Sequence, residues 1–304
     1  MTDSGPGHGS RPGSPAKGSS ISFQTVDVPG AAGGTMVNGV NDHGVLAGTY
    51  FDQSNQNSPH GYIKDGGQLV SFDYPGTSGV TTVGSLNNPG TVVGYYIDSN
   101  GAAHGWIRSA RGSFSPINHP LAGSGLQQGT LPFGINDSGT VAGGYIDANG
   151  TWHGFIDNNG TFTTVDVPQA GTGPGQGTWL SAENDPGVIT GGYIDASGLY
   201  HGFTDTHGVI SSFEAPGSIG PGQGGSTSSG ISNTRILVGY YGNAAGTVYQ
   251  GWLETGARFA SVGDPESGPG GTLPLGISGN GKTVCGFYID ANNLDHGFIA
   301  IISP

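Results

Sequence analysis

The chain has 304 residues, 62 of them glycine and 19 proline, with only 10% charged residues and a formal net charge of −13. Eight Lys plus Arg against 21 Asp plus Glu exclude a polyanion binder, so neither nucleic acid nor an anionic membrane surface is an expected partner. A single cysteine, Cys285, excludes an internal disulfide, and the absence of any long apolar run predicts no membrane insertion.

Residues 1–19 (MTDSGPGHGSRPGSPAKGS) are rich in Gly, Pro and Ser and read as a disordered tail; no signal peptide is legible there. The first strand is Ile21–Val28. From there one pattern recurs six times and is best kept at Gly134–Phe155, GINDSGTVAGGYIDANGTWHGF. Its marker is His-Gly followed by an aromatic: His60-Gly61-Tyr62, His104-Gly105-Trp106, His153-Gly154-Phe155, His201-Gly202-Phe203 and His296-Gly297-Phe298, with Gln250-Gly251-Trp252 as the fifth copy. Markers lie 44 to 49 residues apart, a period that signals a repeat architecture.

In the third copy, Thr130–Ile135 reads as a strand and Asn136-Asp137-Ser138-Gly139 as a turn. Thr140–Ile146 and Thr151–Ile156 are strands joined by Asp147-Ala148-Asn149-Gly150, and Asn158-Asn159-Gly160 leads into Thr161–Val167. Asp and Asn bond their own backbone and Gly accepts positive φ, so these are hairpin turns. Four antiparallel strands per repeat, with no helical period anywhere, predict an all-β, six-bladed β-propeller over residues 20–304. The sixth copy lacks its fourth strand, and Ile21–Pro29 matches that strand. The N-terminal strand is therefore expected to close the last blade, and deleting residues 20–29 to destabilise the whole domain.

With GINDSGTVAGGYIDANGTWHGF in view, residues 21–303 resemble the HAF repeat family of bacterial extracellular proteins, whose motif has a His, a small residue and Phe at this place. The resemblance implies a β-rich repeat fold and an extracellular or cell-surface location. It transfers no catalytic residue.

Five recurring histidines raise the question of a metal, but each belongs to a different blade; the expectation is no metal and no cofactor, with each ring tying a turn or a neighbouring blade. Gln250 can supply a similar hydrogen bond and is a poor ligand. The turns beginning at Asp98, Asp147, Asp195 and Asp290 carry too few acids each for calcium. A hydroxyl residue opens every inner strand (Thr35, Thr81, Thr130, Thr178, Ser226, Thr272), and satisfying backbone groups is its expected task. No nucleophile elbow, P-loop, dinucleotide fingerprint or zinc-protease motif is found.

Function in a ring of like blades must come from what differs. Glu183 stands where other copies have Val40, Leu86, Ile135, Ile231 and Ile277, and Trp179 lies four residues earlier with the same strand parity. The next blade has Gly242 for the usual Asp, and Arg235 in a turn. The candidate site residues are therefore Glu183 as a catalytic acid or base, and Trp179, Arg235, His153, His201, Asp147 and Asp195 as ligand-binding residues. The long Gly-rich connections between blades are expected to share a face with the Asp turns. Three functions stay open: a monomeric, secreted binding module for a glycan or other extracellular ligand; a polysaccharide lyase or hydrolase with one site near blades four and five; and a structural surface protein.

Overall fold

The computed structural model describes residues 20–52, 58–77, 80–218, 223–243 and 245–303, so the tail expectation for residues 1–19 lies outside them. These residues form 24 strands and no helix. β1 is Ser20–Val26. The first four-stranded unit is β2 (Gly34–Val40), β3 (Leu46–Phe51), β4 (Pro59–Asp65) and β5 (Gln68–Phe72); the second is β6 (Thr81–Leu86), β7 (Val92–Ile97), β8 (Ala103–Arg108) and β9 (Phe114–Ile117). The third is β10 (Gly129–Ile135), β11 (Val141–Ile146), β12 (Trp152–Asn158) and β13 (Thr161–Val165). β14 (Gly177–Glu183), β15 (Val188–Ile194), β16 (Tyr200–Thr206) and β17 (Val209–Phe213) make the fourth. The fifth is β18 (Gln223–Ile231), β19 (Ile236–Asn243), β20 (Tyr249–Thr255) and β21 (Arg258–Val262), and β22 (Gly271–Ile277), β23 (Thr283–Ile289) and β24 (Asp295–Ser303) make up the sixth. Within each unit, successive strands pair antiparallel.

The sixth unit takes its fourth strand from the other end of the chain. β1 pairs antiparallel with β24 from Ser20↔Ser303 to Val26↔Gly297. Phe23 packs on Phe298 at 5.6 Å between ring centroids, and Ile21 and Phe23 join the core between the fifth and sixth units.

The turns are built by side chains. Asp147 Oδ1 accepts the N–H groups of Asn149 and Thr151, and Asp98, Asp195 and Asp290 do the same in their units. Asn136 Oδ1 takes the Thr140 N–H, as Asn87 and Asn184 take those of Thr91 and Val188. These are the local bonds that make Asp and Asn turn residues.

The marker aromatics are the core. Tyr62, Trp106, Phe155, Phe203, Trp252 and Phe298 are all buried. The clusters they join span adjacent units: Trp252, for example, packs with Val188 and Ala215 of the fourth and Ile231 and Leu237 of its own. The glycine before each ring is a close-approach position. A Cβ on Gly154 would lie 2.5 Å from the Val165 carbonyl oxygen and 2.8 Å from Leu180 of the next unit.

Two sets of bonds run round the molecule. The hydroxyl opening each inner strand accepts a backbone N–H from the end of the preceding outer strand: Val28 to Thr35, Tyr74 to Thr81, His119 to Thr130, Val167 to Thr178, Ala215 to Ser226 and Asp264 to Thr272, all at 2.9–3.2 Å. At the other end of the inner strands a second circuit closes. The Asp42 N–H donates to Asn88 Oδ1, Asn88 to Asp137, Asp137 to Asp185 and Asp185 to Asn233. Asn233 donates to the Gly279 carbonyl, and the Asn280 N–H returns to Asp42 Oδ1 at 2.8 Å.

One feature is invisible in the repeat pattern. Every inner strand carries a bulge, between Val37 and Gly39, Val83 and Ser85, Pro132 and Gly134, Leu180 and Ala182, Ser228 and Gly230, and Pro274 and Gly276. The extra residues, Phe133 and Ser181 among them, line a central cavity of about 280 Å³. A bulge also reverses which face the later residues present.

Candidate functional site

The repeated histidines sit in a repeated cage. In four units the ring lies between two carboxylates, one from the hairpin turn and one from beyond the outer strand. His153 has Asp166 at 2.8 Å and Asp147 at 3.9 Å; His201 has Glu214 and Asp195; His60 has Asp73 and Asp52; His296 has Asp27 and Asp290. His104 holds Asp98 at 3.0 Å. Each ring also stacks on the Tyr directly across the strand pair, as Tyr145 on His153 at 4.9 Å and Tyr193 on His201 at 4.8 Å. In the fifth unit Gln250 accepts a hydrogen bond from Tyr241. Among the described residues no group of three or more His, Cys, Asp or Glu is placed to hold a metal.

The turn carboxyls are held below the usual range. The Ala102 and Leu294 amides lead in lowering Asp98 and Asp290, and the Ser197 hydroxyl leads for Asp195. In Asp147 burial pushes upward, and the Thr151 amide with Asn149 outweighs it. The pairs His153–Asp147 and His201–Asp195 thus brace the hairpins of their own units.

Glu183 and Trp179 are separated. Trp179 pairs with Gly192, whereas Glu183 pairs with Ile189. The bulge at Ser181 breaks the strand parity, so the two side chains leave β14 on opposite faces, contrary to the simple alternation. Glu183 lines the narrow end of the channel, a cavity of about 90 Å³ beside the Asp–Asn circuit, and burial raises its carboxyl above the ordinary range. Arg235 is exposed in the Ser232–Arg235 turn with φ of 62°, at that same end.

Trp179 belongs to a different place. Between the fourth and fifth units, where the Asp turns and the inter-unit connections meet, lies a cleft of about 660 Å³ walled by Trp179, Tyr200, Tyr240, Tyr241 and Tyr249 and floored by Ser226 and Thr227. The room for the indole comes from two small residues. A Cβ on Gly192 would lie 2.3 Å from the Trp179 ring, and one on Gly144 would lie 3.2 Å from its Cβ. Trp179, Thr227 and Tyr240 also line the central cavity, so the cleft and the cavity share a wall.

Among the described residues, no Asp, Glu, Lys, Arg or His lines this cleft. Burial, then the neighbouring phenols of Tyr249 and Tyr200, push the Tyr240 hydroxyl up to about 12, so it stays a neutral donor at physiological pH. Tyr249 donates to the Gly246 carbonyl at 2.7 Å and Tyr241 to Gln250. The Trp179 indole N–H and the Tyr200 and Tyr240 hydroxyls have no hydrogen-bond partner among the described residues. Aromatic faces beside free neutral donors suit a ligand that is apolar on its faces and hydroxylated at its edge.

Sequence reasoning singled out Trp179 and missed Tyr200, Tyr240 and Tyr249. Gly242 is not the counterpart of the turn Asp, as the sequence suggested: it pairs with Tyr249 as Ile146 pairs with Trp152, and Asn243 takes the Asp place, its Oδ1 accepting the Thr247 N–H. The legible signal was Tyr249, which stands where β12 begins with Trp152.

No protein-family model matches the chain, and no curated protein sequence matches it significantly. Solved structures do. The SapL1 lectin in complex with α-methyl fucoside has a TM-score of 0.55 at 12% identity, covering 90% of this chain and 97% of that one. A mutant of AofleA from Arthrobotrys oligospora gives 0.54 at 12% identity, covering 92% and 86%. The Aleuria aurantia lectin, described as a six-bladed β-propeller with a novel fucose recognition mode, gives 0.53 at 11% identity, covering 88% and 93%. The fold is a β-propeller. At these identities the likeness carries the propeller architecture, and the site must be argued from this chain's own residues.

Proposed function

We propose that this chain is a six-bladed β-propeller lectin, its last blade completed by β1, which binds carbohydrate in the cleft between the fourth and fifth units. The observation that carries the reading is the aromatic-walled cleft, with no charged residue among its described lining and with Trp179, Tyr200 and Tyr240 donors that find no hydrogen-bond partner among the described residues. The fucose-bound lectins that share the fold support the ligand class, and the HAF-repeat resemblance supports a secreted or surface setting. Because Trp179 stands where the other units have Met36, Thr82, Leu131, Thr227 and Leu273, one such site per chain is expected, rather than one per repeat.

The test is a broad glycan array followed by titration calorimetry with the best glycan. Trp179→Ala is expected to weaken binding by about tenfold or more, equivalent to ~1.4 kcal/mol, with a stoichiometry near one. Glu183→Gln, at the far end of β14, should leave affinity unchanged. Failure of every glycan to bind, or equal loss from Glu183→Gln, would overturn the reading.

A further inference from the structure

The aromatic wall does not end at this cleft. Trp179 meets Tyr200 on one side at 6.0 Å and Trp152 on the other at 6.3 Å between ring centroids. Trp152 is the first residue of β12 in the third unit, and its ring fills the space over Gly144, where a Cβ would lie 2.9 Å away. On its far side Trp152 lines a second cleft of about 390 Å³, formed with Leu126, Gln128, Asn149 and Pro174. This second cleft lies on the same face as the first, because the turn at Asn149 is the third unit's counterpart of the turn at Ser197. Leu126 is 73% exposed and Tyr200 44%, large apolar surfaces at the two ends.

From this juxtaposition we propose that the two clefts and the Trp152–Trp179–Tyr200 bridge form one track for an extended neutral glycan, spanning the third to fifth units and taking at least three consecutive sugars. The proposal rests on the lectin reading and adds chain length and charge to it. The rings follow one another about one sugar apart but are tilted 64° and 66° to each other, so they offer a turning series of apolar contacts that a chain of several sugars can follow and a single terminal sugar cannot span. Neutrality follows from the walls. Neither cleft is lined by a Lys or Arg that could pair a uronate or sialate, and the net charge of −13 opposes an acidic chain. The loops are held for such a surface. Gln128 accepts from the Gly125 N–H and donates to the Ala148 carbonyl, and Gln176 repeats this with Gly173 and Ala196, pinning each connection to the next hairpin.

The experiment is calorimetry on the full chain with monosaccharides and matching tetrasaccharides of β-1,4-glucan, α-1,4-glucan, β-1,4-mannan and α-1,6-mannan, a fucosylated tetrasaccharide beside fucose, and a polygalacturonate tetramer as the acidic arm. In at least one neutral series the tetramer should bind about tenfold or more tighter than the monosaccharide, and the acidic tetramer weakest. Trp152→Phe and Trp152→Ala, checked for fold by circular dichroism, should shrink that tetramer-to-monosaccharide ratio at least fivefold. Should Trp152→Ala fail to fold, Trp152→Phe and Leu126→Ser decide the matter. Equal affinity for monosaccharide and tetramer would sink the track and leave the lectin reading standing. Binding by no sugar would sink both, as would capture of a polyproline decapeptide instead, and tighter binding of the acidic tetramer would sink the neutral assignment.

Discussion

His296 shows how a side chain kept in nearly every repeat is electrostatically tied to its own turn. Burial alone would lower its pKa, but the hydrogen bond and charge of Asp27, with Asp290 on the other nitrogen, outweigh it and raise it above 6.5. A group whose folded pKa is raised stabilises fully below its unfolded pKa of about 6.5 and loses that contribution as pH rises through the folded value. His296→Gln should therefore destabilise more at pH 5.5 than at pH 8. Both partners are partly exposed and screened, so the difference should be about 0.5 kcal/mol. Denaturant melts at the two pH values check it, and a larger loss at pH 8 would contradict the cage. The role of this histidine was legible because the same residue stands in five copies and a glutamine in the sixth. Trp179 was legible for the opposite reason, as a break in the pattern. What could not be read was that Trp179 and Glu183 face apart, since the bulge at Ser181 is a tertiary accommodation of the crowded channel and leaves no mark in the hydrophobic alternation.

Among the strands, β1 is the one that the sixth unit takes from the other end of the chain. It covers the edge of β24 and brings Phe23 onto Phe298. Removing that ring, Phe23→Ala, should cost about 2 kcal/mol, less than the ~3–5 kcal/mol of a fully buried Phe, because Phe23 keeps part of its surface exposed. Thermal unfolding would report it, and a change within about 0.5 kcal/mol would mean that β1 only rests on the sheet. That pairing could be read directly, because Ile21–Pro29 repeats the outer strand of the third copy. The aromatic cleft could not, because Trp179 and Tyr200 come from one unit and Tyr240 and Tyr249 from the next, and nothing in a single strand announces what will face it.

The molecule as a whole is fastened by two circuits, one of hydroxyls and one of Asp and Asn. In the second, Asn88 is a spacer between acids: its amide donates to Asp42 at 3.2 Å and to Asp137 at 2.7 Å. Asn88→Asp would replace those donors by a third adjacent charge. The variant should be destabilised by about 0.5–1 kcal/mol at pH 7, since the acids are exposed and water screens them, and by less near pH 4, where a protonated carboxyl can donate again. Equal melting temperatures for wild type and N88D at pH 7 would show that the circuit contributes nothing.

Because Ser20 and Ser303 are cross-strand neighbours, the order in which the units are written along the gene carries little structural information. A circular permutant that joins these two ends through a short Gly-Ser linker and opens the chain at the exposed turn of Asn158 and Asn159 should fold to the same molecule and keep its ligand, since permutation succeeds where termini lie close and new ends fall in surface turns. Its strand pairing, read by amide exchange, should match the original, now with β13 in the part played by β1. An insoluble or unfolded permutant would mean that the wheel must be assembled from one particular starting spoke.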